Sequence, residues 1–461
     1  MSKSVLCVFS YFPPDAATGT HRARAIARFL PESGWRPVVV SPALENGASR
    51  DEYLLEGLPA DLVTYRTPAP SLLSLGTRAR DWLRTALPRK RTALPAGAGV
   101  GLGGKAASRG SWTDWASWWL QVPDLTIGWL PYGVAAARRA VRRHRCRAIV
   151  SSAPQWTAHL IALTMKRLTA LPWVADFRDP WRSSPFRKIP HRLADRYDAW
   201  LERQVVGHAD WVVCNTRTLQ DDFTRRYPTL EGKFVTVPNG FDPEEFAGLR
   251  PLRPAGPEKP VLTHAGWFYG KRRPGPIFQA LRVLRERHLL PVDPCLQLVG
   301  RPTYEGRDLR AIAAEHGVQD LVVFRGEVPH HEALELLRGS DIQVVVGFNG
   351  PGADLQVPAK LFECLGVGKP VLALAPCRSA IAETMALSGA AGEVCDPDDP
   401  EAIMAAIARL ATRGSAPHGA NGGIAQFHRR AQVRRIAALL NGNHGPSATQ
   451  ATPAQEASGV S

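Results

Sequence analysis

Apolar positions fall along this chain in two rhythms. Short unbroken runs rich in Val, Ile and Leu read as strands buried on both faces: SVLCVFS from Ser4, RPVVVSP from Arg36, RAIVSSAP from Arg147, PWVADF from Pro172 and DWVVCNT from Asp210. Between them apolar residues return at three- and four-residue spacings. Ala23, Ile26, Ala27 and Leu30 do so, as do TAHLIALTMKRLT from Thr157 and a longer stretch from about Ile189 to Val206. Strands alternating with helices predict a parallel sheet covered on both faces. The rhythm breaks at FVTVPNGFDPEEF, an Asn-Gly turn followed by a stretch without helical period as far as Pro254. It then restarts with KPVLTHAG, CLQLVG, LVVFRG, DIQVVVGF and PVLALAP as strands and PGPIFQALRVLRERH as the first helix between them.

A chain of 461 residues exceeds one ordinary core. The expected fold is α/β, with two Rossmann-like, doubly wound parallel-sheet domains facing a cleft. The first is placed at residues 1–238, with an insertion rich in Pro, Gly, Ala and Arg at about 67–125. A hinge at 239–254 leads to the second domain at 255–423. IAQFHRRAQVRRIAALL then predicts a final helix over 424–440, and the Gly/Ser/Ala-rich 441–461 a disordered tail. In such sheets ligands bind at the carboxyl ends of the strands.

Charge narrows the partners. The formal net charge is +15, and Arg78 to Arg147 holds fourteen Lys or Arg against three acids. A basic excess of this size favours an anionic partner. Trp112, Trp115 and Trp119 share one helical face inside that segment, flanked by arginines. They suit either an interfacial helix on anionic lipid or a stripe over the domain's own core. No nucleic acid is expected, because basic and aromatic residues are not interleaved across a sheet. Seven cysteines, none in a C-x-x-C pair, argue against both a metal site and a disulfide framework. With no leader-like segment and no spanning run, the expected location is cytoplasmic, extending to peripheral binding on the inner face of the cell membrane.

Three stretches could carry chemistry. In YFPPDAATGTHRARAIARFL a strand passes through a turn with Gly19 into a helix whose N-terminus could meet a phosphate, with Arg22 and Arg24 as added donors; a plain connecting loop fits equally. In THAGWFYGKRRPGPIFQAL, Lys271, Arg272 and Arg273 lie between a strand end and a helix start, which suits a diphosphate or a solvated basic loop. In GPGADLQVPAKLFECLGVGKPVLAL, Glu363 stands early on a helix, where it could accept from a ribose diol or simply complement the helix dipole. Arg178 and Asp179 follow the strand WVADF. They read as a structural pair bracing the loop. His159 reads as helix packing. The acidic CDPDDPEAI reads as a turn with a helix cap rather than a metal site.

With these stretches in this order from about Ser4 to Leu440, the chain resembles a family 4 glycosyltransferase of the retaining GT-B type, in the branch of capsule and exopolysaccharide transferases. VSSAPQWTAHLIAL, ADFRDPW and VPNGFDPEEF add to the resemblance. It implies a nucleotide-diphosphate-sugar donor held by the second domain, a glycan or lipid-linked hydroxyl acceptor on the first, and metal-independent transfer without a cofactor. By position it places Arg272 on the diphosphate with Lys271 or Lys360 in support. Glu363 falls on the ribose, Gly19 and Gly266 beside the phosphate, and Gly326 and Val328 at the base. The resemblance also offers Arg178 and Asp179 as acceptor-orienting groups and His159 as an acceptor-side group, as alternatives to their structural readings. One departure stands out: Leu355 occupies the position, eight residues before Glu363, where the family carries an acid, with Asp354 adjacent. A sugar-nucleotide epimerase of the same fold and a non-catalytic nucleotide-sugar-binding relic are the alternatives.

Overall fold

The structure, a computed structural model, describes residues 2–44, 49–72, 122–187, 189, 191–254, 259–413 and 423–442. Most of the expected insertion, its tryptophan face at 112–119 and the tail beyond 442 lie outside the described residues. The first half runs β1 (Lys3–Phe9), α1 (Thr20–Phe29), β2 (Trp35–Pro42), β3 (Val63–Thr67), α2 (Leu130–His144), β4 (Ala148–Ala153) and α3 (Thr157–Thr169). It continues with β5 (Trp173–Phe177), α4 (Arg192–His208), β6 (Trp211–Cys214), α5 (Arg217–Arg226) and β7 (Phe234–Thr236). The seven strands form one sheet in the order β3-β2-β1-β4-β5-β6-β7. β1 pairs in parallel with both β2 and β4. The winding direction therefore reverses between β1 and β4, the position at whose carboxyl side such sheets generally take ligands.

The second half repeats the plan. β8 (Val261–Ala265), α6 (Gly275–Glu286), β9 (Cys295–Val299), a short hairpin of β10 (Thr303–Tyr304) and β11 (Arg307–Asp308), α7 (Leu309–Glu315) and β12 (Val322–Gly326) come first. α8 (His330–Arg338), β13 (Ile342–Val346), α9 (Ala359–Val367), β14 (Val371–Leu374), α10 (Ala380–Ser388), β15 (Gly392–Cys395), α11 (Pro400–Arg413) and α12 (Arg429–Leu440) follow. The sheet order is β12-β9-β8-β13-β14-β15, with the reversal between β8 and β13. Val344, Val346, Leu372 and Leu374 pack into one apolar cluster with α6 and α11, while Val345, Val371 and Ala373 pack into another with α8, α9 and α10. Alternate residues of one strand thus enter two cores, as a sheet covered on both faces requires.

Five strands escape the apolar-run criterion: β3, β7, β15 and the two-residue β10 and β11. All lie at sheet edges. β3 is half-buried throughout, β7 buries only Phe234 and β15 only Cys395. An edge strand is covered on fewer sides, so its sequence need not be continuously apolar. By contact the chain divides into two units, Met1–Asp176 with Phe186–Asp210, and Phe177–Pro185 with Trp211–Ser461. The short run carrying Arg178 and Asp179 therefore belongs with the second unit.

Candidate active site

In the first unit, the carboxyl ends of β1 and β4 are tied together. Ser10 Oγ donates to the Gln155 carbonyl at 3.1 Å, and Gln155 Nε2 donates to the Tyr11 hydroxyl at 3.0 Å. The turn between β1 and α1 ends at Gly19, which has φ −61° and ψ −24°. Any residue adopts that backbone, so the conformation there does not itself require a glycine. No side chain caps α1 and no acid stands in its first turn.

The expected donors Arg22 and Arg24 require a correction, because both point inward. Arg22 grips Asp176 with two bonds of 2.9 and 2.7 Å, and Asp176 also accepts from Ser152 Oγ at 2.7 Å. Arg24 donates to the Glu56 carbonyl at 2.8 Å. α1 lays its first turn on the sheet, so side chains two and four positions into the helix meet protein before solvent.

His159 requires a correction too. It is fully buried on α3, with Nδ1 2.8 Å from Ser151 Oγ, which accepts from the Trp173 indole. Trp156 and Trp173 flank its ring at 6.3 and 6.4 Å. A side chain without solvent access braces the sheet and does not touch an acceptor.

In the second unit, β8 ends at Ala265, Gly266 follows, and the loop returns through a bridge between Tyr269 and Arg272. That bridge turns Arg272 inward, where it is 9% exposed. Its guanidinium lies over the Tyr269 ring at 4.8 Å, donates to the Tyr269 hydroxyl, and stands 5.8 Å from the Phe348 ring just beyond β13. Arg272 therefore sits at the reversal between β8 and β13. Burial lowers its pKa to about 10 against the pull of Asp179, so it remains a cation near neutral pH. Lys271 is exposed, with Nζ 5.7 Å from the Phe348 ring.

Asp179 faces this cation. Burial pushes its carboxyl up to about 6, although Arg178 and Arg272 pull the other way. The unfolded chain releases this proton near the ordinary value of 3.8. Between the two values the folded state holds a proton that the unfolded state lacks, so folding weakens as pH rises through that window. We expect wild type to lose on the order of 2 to 3 kcal/mol relative to Asp179→Asn between about pH 4 and about pH 7. Urea unfolding across that range checks this, and parallel profiles for the two proteins would refute it.

His264 is a member of this cluster that the sequence reading passed over. Its Nδ1 donates to the Val344 carbonyl at 2.9 Å, which leaves Nε2 as a buried acceptor without a hydrogen bond among the described residues. Burial lowers its pKa to about 4, and Arg272 and Lys360 oppose its protonation further. A Cβ at Gly266 would sit 3.1 Å from that nitrogen, so the glycine keeps the ring uncovered. The available signal was a lone histidine inside an otherwise apolar strand.

Lys360 and Glu363 stand one turn apart on α9 and pair at 2.9 Å. Burial alone would raise the pKa of Glu363, but Lys360, His330 and Arg429 hold it below the ordinary value. Burial alone would lower that of Lys360, and Glu363 raises it instead. The pair is thus charged, with the Glu363 carboxylate buried and the Lys360 side chain 39% exposed. His330 opens α8 just after Gly326 and Val328, so the turn after β12 lies near Glu363. Gly326 ends β12 with φ +74°, and Val328 packs against the adjoining core. Leu355 is buried and its carbonyl accepts from Thr216 Oγ1 at 3.3 Å, while Asp354 is exposed and its carbonyl accepts from Thr218 Oγ1 at 2.9 Å. Asp399 caps the start of α11 through Glu401 and Ala402 N–H.

A family model described as glycosyltransferase family 4 matches residues 112–245, and one described as glycosyl transferases group 1 matches residues 259–413. The D-inositol 3-phosphate glycosyltransferase of Stackebrandtia nassauensis is 33% identical over 160 residues, which cover 32% of this chain and 36% of that protein. That of Xylanimonas cellulosilytica is 29% identical over 252 residues, covering 52% and 58%. The chain therefore spans less than two thirds of the length of these relatives. Among solved structures, sucrose-phosphate synthase from Thermosynechococcus elongatus shares the fold with a TM-score of 0.60 at 16% identity, covering 95% of this chain and 98% of that one.

Proposed function

Because the chain belongs to the family 4 glycosyltransferases and has their GT-B fold, we propose that it transfers a sugar from a nucleotide-diphosphate-sugar donor to a hydroxyl acceptor with retention at the anomeric carbon. Synthesis of a cell-surface polysaccharide or glycolipid is the setting that fits. The observation that carries this reading is Arg272, a buried cation at the strand reversal of the second unit, held by Tyr269 and Phe348 beside Lys271. Breaking the anomeric C–O bond leaves negative charge on the departing diphosphate. A cation fixed in place before the reaction stabilises that charge without reorganising at the moment of bond cleavage.

In this reading Arg272 and Lys271 meet the diphosphate. Lys360 is oriented by Glu363, whose carboxylate is kept ionised and so accepts from the ribose hydroxyls. The left-handed turn at Gly326 and the backbone to Val328 border the base. Asp179 and Arg178 orient the acceptor, and Gly19 lets the N-terminus of α1 approach a phosphate. Gly266 keeps the phosphate side of the loop open. The test is a donor panel in which release of nucleoside diphosphate is followed with and without a hydroxyl acceptor, and the product is analysed by mass spectrometry. Acceptor-dependent release and a product heavier by one sugar are expected. A new sugar-nucleotide isomer without an acceptor would overturn the transferase reading.

A further inference from the structure

The outer face of α4 has a composition that the fold does not require. Leu193, Tyr197 and Trp200 recur at i, i+4 and i+7 and are 56%, 41% and 47% exposed. At 1.5 Å per residue they form a ridge about 10 Å long. Arg192, Arg196 and Arg203 are exposed on the same face. The acids of this helix are placed elsewhere: Asp198 and Glu202 are buried, with Asp198 bonded to Arg187 at 2.6 Å, and Asp195 is half-buried. A helix that turned this face to water for solubility alone would carry the opposite arrangement.

The neighbouring helices extend the pattern within the same unit. α3 packs between α2 and α4. At its end Arg167 reaches Gln204 of α4 at 2.6 Å, beside the exposed Leu168. α2 exposes Arg138, Arg139, Arg142 and Arg143 and contains no acid. Among the described residues, these three helices thus expose cations and large apolar side chains and, of carboxylates, only the half-buried Asp195, while Asp210 just beyond α4 pairs with Lys166 of α3 at 2.6 Å.

We propose that the layer formed by α2, α3 and α4 docks on an anionic lipid bilayer, with Leu193, Tyr197 and Trp200 entering the headgroup region and the arginines meeting lipid phosphates. Charge complementarity selects an anionic partner. The apolar ridge selects lipid over nucleic acid: leucines offer nothing to a base, and Tyr197 and Trp200 already stack on each other at 5.6 Å and 16°, which occupies ring faces that a base would need. An amphipathic helix with aromatic and leucine residues beside arginines suits the interface. This surface shares no residue with the tryptophan segment at 112–119.

The test uses the full chain and two kinds of vesicle, phosphatidylcholine alone and phosphatidylcholine with phosphatidylglycerol. Wild type is expected to sediment with the anionic vesicles at low salt and to be released at high salt. L193S/Y197S/W200S lowers partitioning about tenfold or more, and R192Q/R196Q/R203Q lowers it about fivefold per arginine removed. As a variant that preserves the fold, W200F reduces the fraction of tryptophan emission quenched by brominated lipid. Equal binding to neutral vesicles, sedimentation of either triple variant like wild type, quenching unchanged in W200F, or displacement of the protein from vesicles by a short oligonucleotide would each overturn the proposal. None of these readouts needs a sugar donor, so their failure leaves the transferase reading standing, and the reverse holds.

Discussion

Arg272→Ala is expected to lower kcat/KM by about 10²- to 10³-fold, the range seen when one preorganised charge-stabilising donor is removed. The size follows from placement. The guanidinium is 9% exposed and is held over Tyr269 and near Phe348, so in the proposed reading it would meet the leaving diphosphate where water screens little. Truncation removes the charge and also leaves Asp179 without one of its two cationic neighbours. Arg272→Lys should recover only a minor part, because an ammonium cannot form two parallel bonds to a phosphate or stack on the tyrosine ring. Steady-state kinetics on the three proteins decides the matter. A loss confined to KM would mean that Arg272 binds donor and transition state equally.

Arg22→Ala is expected to destabilise the first unit by about 3–5 kcal/mol, the range for stripping one partner from a buried ion pair. Asp176 is fully buried and accepts two bonds from Arg22 and one from Ser152. Without the arginine its charge has no ion-pair partner in contact among the described residues, and desolvation dominates. Replacing both residues together, as in Arg22→Met with Asp176→Leu, should return most of the loss, because the cost lies in the orphaned charge rather than in the missing attraction. Urea unfolding of the single and double variants measures this. A single variant within about 1 kcal/mol of wild type, the level of an exposed pair, would show that the pair is not desolvated in solution.

The parts legible in the sequence were those governed by periodicity. Central strands such as Val5–Phe9 and Val344–Val346 are apolar on both faces and stand out at once. Edge strands such as Val63–Thr67 do not, since nothing demands that both faces be covered. The cations around Arg272 were legible as a cluster at a strand end, because side chains close in sequence at a loop stay close in space. What periodicity could not convey is direction. Arg22 and Arg24 look like solvent-facing donors until α1 is laid on its sheet, and His159 looks available until Trp156 and Trp173 close over it. His264 was hidden for the opposite reason: it sits within a strand, and only the tertiary fold brings Val344 to its Nδ1 and leaves Nε2 facing Gly266. Leu355 was legible as a departure, and its burial explains why an acid is not simply exchangeable there.

The central claim is that the second unit binds a nucleoside diphosphate through Arg272. Calorimetric titration of uridine, guanosine and adenosine diphosphates into wild type and Arg272→Ala tests it most directly. The account predicts that one of the three binds wild type and that Arg272→Ala binds it at least about tenfold more weakly, the loss of one charge-assisted contact. Equal affinity in the two proteins, or no binding of any of the three to wild type, would contradict it.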